Sequence, residues 1–310
     1  MPEGYTHARI ALAAAAEAGW EITSRAAFLC GAGGPDVLYA FEAWKPAAKR
    51  RMDLAALGRR MHTERTGAFL HALQRRAVTP VQMDYFLGFL CHYFTDCAVH
   101  PYVAAVTAAC RPYQGKGGHG YFESALDSLL HRQDTGSGAV PVDSFSPPLT
   151  GVPLAEVVAQ LQLALLDTYG VDVPREYLTD ALFDNRRVRG WMVSRRHGKY
   201  LLAWLLEPLF GGRGAVTQHM TPRTLRGLSA RDHRHGIRLP CPWTDPFSGA
   251  ERGESLFDLL ALAQRDAAAA LHEAQQPNAG ADLFWPMVGS RDYVEGRETP
   301  QSTLPAAADA

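Results

Sequence analysis

The segment 86–102 places three polar side chains at regular intervals in an otherwise largely apolar stretch. His92, Asp96 and His100 are each four residues apart, and the residues 86–90 before them are apolar apart from Gly88. A step of four residues turns an α-helix by about 40° and advances it by about 6 Å, so the three side chains form one narrow stripe. Because an unpaired polar group costs several kcal/mol when it is buried, the stripe must face water, an ion or other polar groups.

Imidazole and carboxylate groups are metal ligands, so one ion is the simplest common partner of such a stripe. His119 and Glu123 repeat the spacing of four in a second segment with a helical pattern. On a helix, these two side chains can bind one ion from the same face. Asp127 lies one turn further on, and we expect it to accept a hydrogen bond and orient a ligand rather than to bind the metal itself.

Three further candidate ligands lie upstream of these two segments. His62 falls in a helical pattern, and His7 lies close to the start of the chain. Asp36 follows the glycine-rich segment 31–35, which allows the backbone to approach a site closely. Four other histidines are interpreted as core or surface residues: His71, His131, His197 and His272.

The donor set predicts the type of metal. The chain has five cysteines and none forms a Cys-x-x-Cys pair, so neither a cysteine zinc site nor a disulfide framework is indicated. Mixed imidazole and carboxylate ligands without a thiolate favour zinc, with manganese or iron as alternatives.

Helical signals dominate the chain, and the alternation typical of β-strands is nearly absent. We therefore predict an all-α fold in which residues 1–275 form a single multi-helix domain. Residues 133–151, rich in Gly, Ser and Pro, are predicted to be a long loop and a candidate lid. Residues 276–310 are predicted to be a loosely ordered tail. The predicted helices are 5–19, 53–76, one from 80 towards Pro101, 119–131, 154–169, 174–183, 188–209 and 255–274.

Charge and hydropathy exclude other classes. A net charge of −1 argues against a basic nucleic-acid binder, and no stable nucleic-acid partner is expected. Because no apolar run approaches the ~20 residues of a membrane span, we predict no transmembrane segment. A cytoplasmic location is favoured over secretion, since cleavage after the alanine-rich segment 11–16 would remove His7. The arginine-rich segment 223–238 is either a solvated loop or a phosphate-binding loop.

The order of these residues resembles the zinc-dependent phospholipase C family, which shares its fold with the S1/P1 nucleases. The resemblance continues downstream in Trp243-Thr-Asp-Pro and in Glu254-Ser-Leu-Phe-Asp-Leu. It implies an all-α domain with a cluster of up to three zinc ions. The residues that carry the resemblance are His7, Pro35-Asp36, His62, His92-x3-Asp96-x3-His100-Pro101-Tyr102 and His119-x3-Glu123.

The resemblance also implies how the ligands divide among two or three zinc ions. One ion would be held by Asp36, His62, His92 and Asp96, and a second by His100, His119 and Glu123. A third would be held by His7, with Asp96 as a bridge. Well-known secreted members have five residues between the aspartate and the next histidine of the central helix. Only three separate Asp96 from His100, which is more similar to the intracellular-looking branch.

Such a cluster is suited to the hydrolysis of a phosphate ester by a metal-bridged hydroxide. We expect a phospholipase C-like phosphodiesterase whose substrate could be a phospholipid at a membrane surface. Asp36 is expected to deprotonate or orient the attacking water while also binding metal. Two alternatives stay open: an S1/P1-like single-strand nuclease or 3′-nucleotidase, and a non-catalytic protein that metals stabilise.

Overall fold

The computed structural model of the chain describes residues 4–109, 118–209, 212–221, 242–275 and 284–307. Within these ranges the protein is helical apart from one two-stranded antiparallel sheet, which confirms the predicted all-α class. The arginine-rich segment 223–238 lies outside the described residues. The elements are α1 (Gly4–Ala18), α2 (Arg25–Ala32), α3 (Leu54–Thr63), α4 (Thr66–Arg75), α5 (Pro80–Ala109), α6 (Gly118–Thr135), α7 (Gly151–Tyr169), α8 (Arg175–Met192), α9 (Gly198–Leu206), β1 (Trp243–Thr244), β2 (Glu251–Arg252), α10 (Leu256–Ala274) and α11 (Phe284–Val288).

Helix α5 is the central element of the fold. It begins after Thr79, whose hydroxyl accepts a hydrogen bond from the backbone N–H of Gln82. The helix is 30 residues long and is buried on all its faces over most of that length, with α1, α2 and α10 packed around it. A helix surrounded in this way has no face in water. The polar stripe must therefore be satisfied inside the protein.

Two glycines bring α2 unusually close to α5. A Cβ atom on Gly31 would lie 2.1 Å from the carbonyl oxygen of Tyr85, and one on Gly88 would lie 2.0 Å from that of Phe28. Neither position has room for a side chain. This contact places the short 3₁₀ helix Gly34–Ala40, which follows α2, beside the stripe.

The predicted single helix 53–76 is wrong, because the chain forms α3 and α4 instead. Arg65 separates them in a left-handed conformation with φ of 53°. The N–H groups of Arg65 and Thr66 donate to the carbonyls of Gln301 and Ser302 near the end of the chain. A long-range pairing that no local pattern reveals thus replaces the helical hydrogen bonds at this point.

Pro101 does not end α5 as expected, since the helix continues to Ala109. A proline lacks the N–H that would bond to the carbonyl one turn earlier, which here belongs to Cys97. Gly296 packs against this carbonyl so closely that a Cβ atom there would lie 2.3 Å from its oxygen. The break in the hydrogen-bond ladder is therefore covered by the C-terminal segment.

The tail from residue 276 was predicted to be loosely ordered, but residues 284–307 pack onto the helices. The Tyr93 hydroxyl donates to the carbonyl of Val288 at 2.6 Å, and the N–H of Tyr293 donates to the carbonyl of His62 at 2.8 Å. The side chain of Tyr293 is fully buried. Residues 276–283 lie outside the described part of the chain.

The loop predicted at 133–151 is shorter, because α6 continues to Thr135 and α7 begins at Gly151. Within this loop, the ring of Phe145 packs tightly against Gly4. A Cβ atom on Gly4 would lie 2.3 Å from Cδ2 of this ring. Helix α8 also runs to Met192 through the predicted gap at 184–187. None of the helices in the described ranges is long and apolar enough to cross a membrane.

Candidate metal centre

All eight predicted ligands lie in one cluster, although five separate elements supply them. The N-terminal helix, the 3₁₀ helix after α2, and helices α3, α5 and α6 each contribute. Seven of the eight residues are buried, and only His119, at 47% side-chain exposure, faces solvent. The eight residues are His7, Asp36, His62, His92, Asp96, His100, His119 and Glu123.

Asp96 is the centre of the cluster, and four imidazole rings surround its carboxylate. Its Oδ1 atom lies 3.3 Å from Nε2 of His7 and 3.4 Å from Nε2 of His100. Its Oδ2 atom lies 3.1 Å from Nε2 of His92 and 3.6 Å from Nε2 of His62. None of these four contacts has the geometry of a hydrogen bond, and the six atoms are buried without a partner. The four nitrogens and the two carboxylate oxygens converge on a common space.

A second group lies at the solvent-facing end of the cluster. The Nε2 atom of His119 is 2.8 Å from Oε1 of Glu123, and Nε2 of His100 is 3.9 Å from the same oxygen. His100 thus lies between Asp96 and Glu123. The exposure of His119 leaves this end of the cluster accessible to a substrate.

Three sets of side chains in the described ranges offer ligand atoms that all lie within 4.8 Å of one another. One set is the trio that the resemblance implied for a second ion. The other two sets share His92. His7 lies with Asp36 and His92 in one of them and does not form the separate third site that the resemblance implied. The sets are His100, His119 and Glu123; His62, His92 and Asp96; and His7, Asp36 and His92.

Two backbone carbonyls fix the orientation of the central imidazoles. The Nδ1 atom of His62 lies 2.7 Å from the carbonyl oxygen of Gly58, and Nδ1 of His92 lies 3.1 Å from that of Ala32. A carbonyl oxygen can only accept, so each Nδ1 must carry the hydrogen. The Nε2 lone pair of each ring then faces the cluster, which is the arrangement found in histidine metal ligands.

The charges of the cluster also suit a metal ion. Burial alone would raise the pKa of Asp96, but His100 and His92 hold it well below its ordinary value. Burial lowers the pKa of His100 to about 3. For His92, burial is outweighed by Asp96 and Asp36, which raise its pKa. The carboxylate of Asp96 is therefore ionised and favours a positive charge beside it, which a metal ion would supply.

Gly34 allows the chain to bring Asp36 against His92. It has a φ of 52°, and a Cβ atom there would lie 2.3 Å from Cδ2 of the His92 ring. Any other residue would be strained in this conformation and would collide with the imidazole. At Gly34, the glycine-rich segment therefore permits the close approach of the backbone that the sequence predicts.

Asp127 does not orient a ligand imidazole as predicted. Its carboxylate accepts hydrogen bonds from the N–H groups of Tyr5 and Thr6 at 2.9 and 2.8 Å, and from the Thr6 hydroxyl at 2.6 Å. These N–H groups belong to the first turn of α1, which has no helical acceptor for them. Asp127 thus caps the helix that carries His7 and acts on the cluster through the backbone.

A cleft of about 530 Å³ opens beside the cluster. His62, His100 and His119 of the cluster line it, together with Tyr39 and Arg59. Arg59 is exposed and forms no ion pair with the described residues, so its guanidinium is available to a ligand. Sequence reasoning left the substrate-binding residues open. The signal for Arg59 was its place one turn before His62 on α3.

Tyr293 was also missed, and it forms part of the wall behind the cluster. Its ring centroid lies 5.4 Å from that of His62 and 6.1 Å from that of His92. Nothing in its local sequence signals this position, because it is reached only by the return of the chain. Two of the histidines that were interpreted as core or surface residues make contacts outside the cluster. His71 stacks on Trp285, and Nδ1 of His131 lies 2.5 Å from the carbonyl oxygen of Ser137.

Comparison with known proteins agrees with this geometry. Residues 6–156 match the family model described as zinc dependent phospholipase C, and this range contains all eight residues of the cluster. No curated protein and no solved structure matches the chain. The part of the chain that holds the whole cluster is therefore similar to the zinc-dependent phospholipase C family.

Proposed function

We propose that the protein is a zinc-dependent phosphodiesterase of the phospholipase C type. The observation that carries this proposal is the Asp96 carboxylate, enclosed by four imidazole nitrogens and lying beside an open cleft. The family match of residues 6–156 supports the same conclusion.

Buried polar atoms without a hydrogen-bond partner support the binding of metal ions by the cluster. A buried polar atom without a partner costs about 1–3 kcal/mol, and six residues of the cluster contain such atoms. A cation shared by several of them would satisfy them together. Nitrogen and oxygen donors without sulfur favour zinc, and the three ligand sets allow two or three ions. The six residues are His7, Asp36, His62, His92, Asp96 and His100.

Zinc ions held there would lower the pKa of a bound water towards 7 and neutralise charge on the phosphoryl oxygens. Asp36 is the proposed acceptor of the proton from the attacking water. Its Oδ1 atom is buried without a hydrogen-bond partner and lies 3.2 Å from Nε2 of His62, which also borders the cleft. Arg59 can present its planar guanidinium to two phosphate oxygens at once.

The lining of the cleft favours a phospholipase-like substrate over a single-stranded nucleic acid. Nucleases that bind single strands stack the bases on several aromatic side chains. Tyr39 is the only aromatic residue among the described residues that line this cleft. Ala56, Ala104 and Val294 line the same cleft as Arg59, so the cleft combines a cationic group with apolar surface. A phosphate ester with an apolar portion matches this combination.

Metal analysis followed by a substrate panel tests the proposal. Purified protein is expected to contain at least two zinc ions per chain and to hydrolyse a chromogenic phosphodiester and a micellar phospholipid. A chelator should abolish both reactions, and added zinc should restore them. A metal content below one per chain would contradict the proposal. Preferential cleavage of single-stranded DNA in the same panel would replace it with the nuclease alternative.

A further inference from the structure

Helix α9 exposes apolar side chains to an extent that is unusual for a helix of a folded domain. Of its nine residues only Ala203 is buried. Leu205 is 64% exposed, and Leu209, just beyond the helix, is 77% exposed. Single exposed leucines are ordinary, whereas a contiguous group marks a surface that binds something. The exposed apolar residues of this face, which we call the α9 face, are Trp191, Leu201, Leu202, Trp204, Leu205, Leu206 and Leu209.

Among the described residues of the segment 191–213, which carries the α9 face, the exposed charges all have one sign. Four basic side chains are exposed in the described residues from 191 to 213: Arg195, Arg196, Lys199 and Arg213. Glu207 is the only carboxylate of this segment, and it is buried. The guanidinium of Arg213 lies 3.9 Å from the centre of the Trp204 ring, so cation and aromatic side chain are presented together.

This charge pattern selects the partner. Two copies of the chain that met through the α9 face would bring Arg195, Arg196 and Lys199 against the same residues of the second copy, which is unfavourable. Leucine and tryptophan rimmed by arginine and lysine are instead typical of helices that lie in the surface of an anionic membrane.

The dimensions of α9 agree with binding at the surface of a bilayer rather than insertion across it. Nine helical residues extend over about 14 Å, whereas the hydrocarbon core of a bilayer is about 30 Å thick. Tryptophan side chains are enriched at the level of the lipid headgroups. Trp191 and Trp204, each about half exposed, are available for that position.

The α9 face is linked to the metal centre by a short, well-bonded segment. The carboxylate of Glu207 accepts hydrogen bonds from the N–H groups of Gly214 and Thr217 at 2.9 and 3.0 Å. The chain then passes onto α6, where the Ser124 hydroxyl donates to the carbonyl of Gln218 at 2.9 Å. Ser124 directly follows the cluster residue Glu123. The α9 face is therefore connected through hydrogen-bonded contacts to the helix that carries Glu123.

We propose that the α9 face docks the protein onto anionic lipid surfaces. The proposal deepens the proposed function and rests on it for the choice of a lipid surface, but the binding it predicts is measured without hydrolysis. Insertion of the leucines supplies the apolar contribution, and Arg195, Arg196, Lys199 and Arg213 supply the preference for negative charge.

Vesicle co-sedimentation with the full-length, metal-loaded protein tests this inference. We expect stronger binding to vesicles that contain phosphatidylglycerol than to pure phosphatidylcholine vesicles, and weaker binding as salt is increased. Leu205→Ser should weaken binding about tenfold, because it removes one inserted side chain. Leu166→Ser is the matched control, since Leu166 is an exposed leucine on α7 at 41% exposure. Likewise Arg196→Glu should weaken binding to the anionic vesicles, whereas Arg75→Glu should not.

Two further measurements keep the outcomes apart. Tryptophan fluorescence of the unmodified protein should shift to shorter wavelength on vesicles of phosphatidylglycerol, which tests docking without any substitution. Hydrolysis of a soluble chromogenic phosphodiester should stay within about twofold of the unmodified value in Leu205→Ser, because this residue lies outside the cluster.

Failure of the unmodified protein to bind phosphatidylglycerol vesicles would overturn the inference while leaving the proposed function intact if the soluble ester is still cleaved. Vesicle binding without hydrolysis of any phosphodiester would contradict the proposed function and leave the docking inference intact. A dimer in sedimentation velocity that Leu205→Ser dissociates would identify the α9 face as a contact between copies, and the lipid proposal would be wrong.

Discussion

The Oδ2 atom of Asp96 lies 3.1 Å from Nε2 of His92, one turn earlier on α5, and neither atom has a hydrogen-bond partner. Both side chains are fully buried. Two polar atoms that face each other in this way inside a protein would be stabilised by a metal cation that both of them bind. The variants below test the roles assigned to this pair and to its neighbours.

Asp96→Asn should abolish tight zinc binding, because it removes the one charge that four imidazoles share. We expect a zinc content below one per chain and a fall in phosphodiester hydrolysis of at least about a hundredfold. Asp84→Asn is the matched control: Asp84 is a buried aspartate of the same helix, but it binds Trp20 and the N–H of Ser24 instead. Equal zinc loss in both variants would contradict a specific role for Asp96.

Gly34→Ala should disrupt the approach of Asp36 to His92. The left-handed conformation costs about 1–3 kcal/mol for a residue other than glycine, and the added methyl group would also collide with the imidazole. Gly19→Ala separates the two effects, since Gly19 has a φ of 68° and open space around it. Thermal unfolding should show destabilisation of both variants, whereas calorimetric titration should show weakened zinc binding only for Gly34→Ala.

Arg59→Gln should raise the KM for a phosphodiester about tenfold while changing kcat little. The reason is that a hydrogen bond to a charged group contributes about 1.5–3 kcal/mol, and Arg59 lines the cleft without being one of the residues of the metal cluster. Steady-state kinetics beside Arg75→Gln, a surface arginine on α4, provides the comparison. A large fall in kcat with unchanged KM would show that Arg59 acts in the transition state rather than in binding.

Glu207→Gln should destabilise the protein in a pH-dependent way. Burial alone would raise the pKa of Glu207, but hydrogen bonds from Gly214, Thr217 and Val216 lower it below the ordinary 4.5. The unfolded chain therefore binds a proton at Glu207 more readily than the folded protein does. The hydrogen bonds to the ionised carboxylate stabilise the fold above about pH 4.5, and this stabilisation is lost as the pH falls through the pKa of the folded state.

Denaturant unfolding across this pH range measures the effect of Glu207→Gln. The variant should be less stable than the unmodified protein by about 2 kcal/mol at neutral pH, with the difference shrinking in acid. Glu176→Gln, at an exposed position of α8, should show little difference at any pH. A constant gap between Glu207→Gln and the unmodified protein would contradict a role for the ionised carboxylate.

Tyr293 offers a test of the C-terminal segment. Tyr293→Ala should destabilise the protein by about 3–5 kcal/mol, because it empties a fully buried aromatic site beside His62 and His92. Tyr293→Phe should be neutral or stabilising, since the hydroxyl has no hydrogen-bond partner in the described part of the chain. Unfolding curves for the two variants give the comparison. A loss with Tyr293→Phe as large as with Tyr293→Ala would assign the hydroxyl a role of its own.

The helical fold class and the composition of the cluster were accessible from local patterns. Spacings of four residues place His92, Asp96 and His100 on one face, and His119 and Glu123 on another, wherever a helix forms. The glycines before Asp36 indicated a close approach in the same way. Because these signals depend only on backbone geometry within a few residues, they survive without knowledge of the tertiary structure.

The ends of the helices and the contacts between residues far apart in sequence could not be predicted from local patterns. The break between α3 and α4 depends on carbonyls of Gln301 and Ser302, more than 200 residues away in sequence. The continuation of α5 past Pro101 is matched by the packing of Gly296 on Cys97, and Asp127 was assigned to a ligand although it caps α1. The division into a domain of residues 1–275 and the cytoplasmic location stay predictions.

By itself, the sequence determined that the chain is helical and which imidazoles and carboxylates are available to a metal. Only the tertiary structure decided that His7 groups with Asp36, that Arg59 faces the cleft and that the segment with Tyr293 closes the wall of the site. The physical reason is that a helical spacing orients neighbours on one element, whereas the distance between elements is set by how their buried surfaces pack.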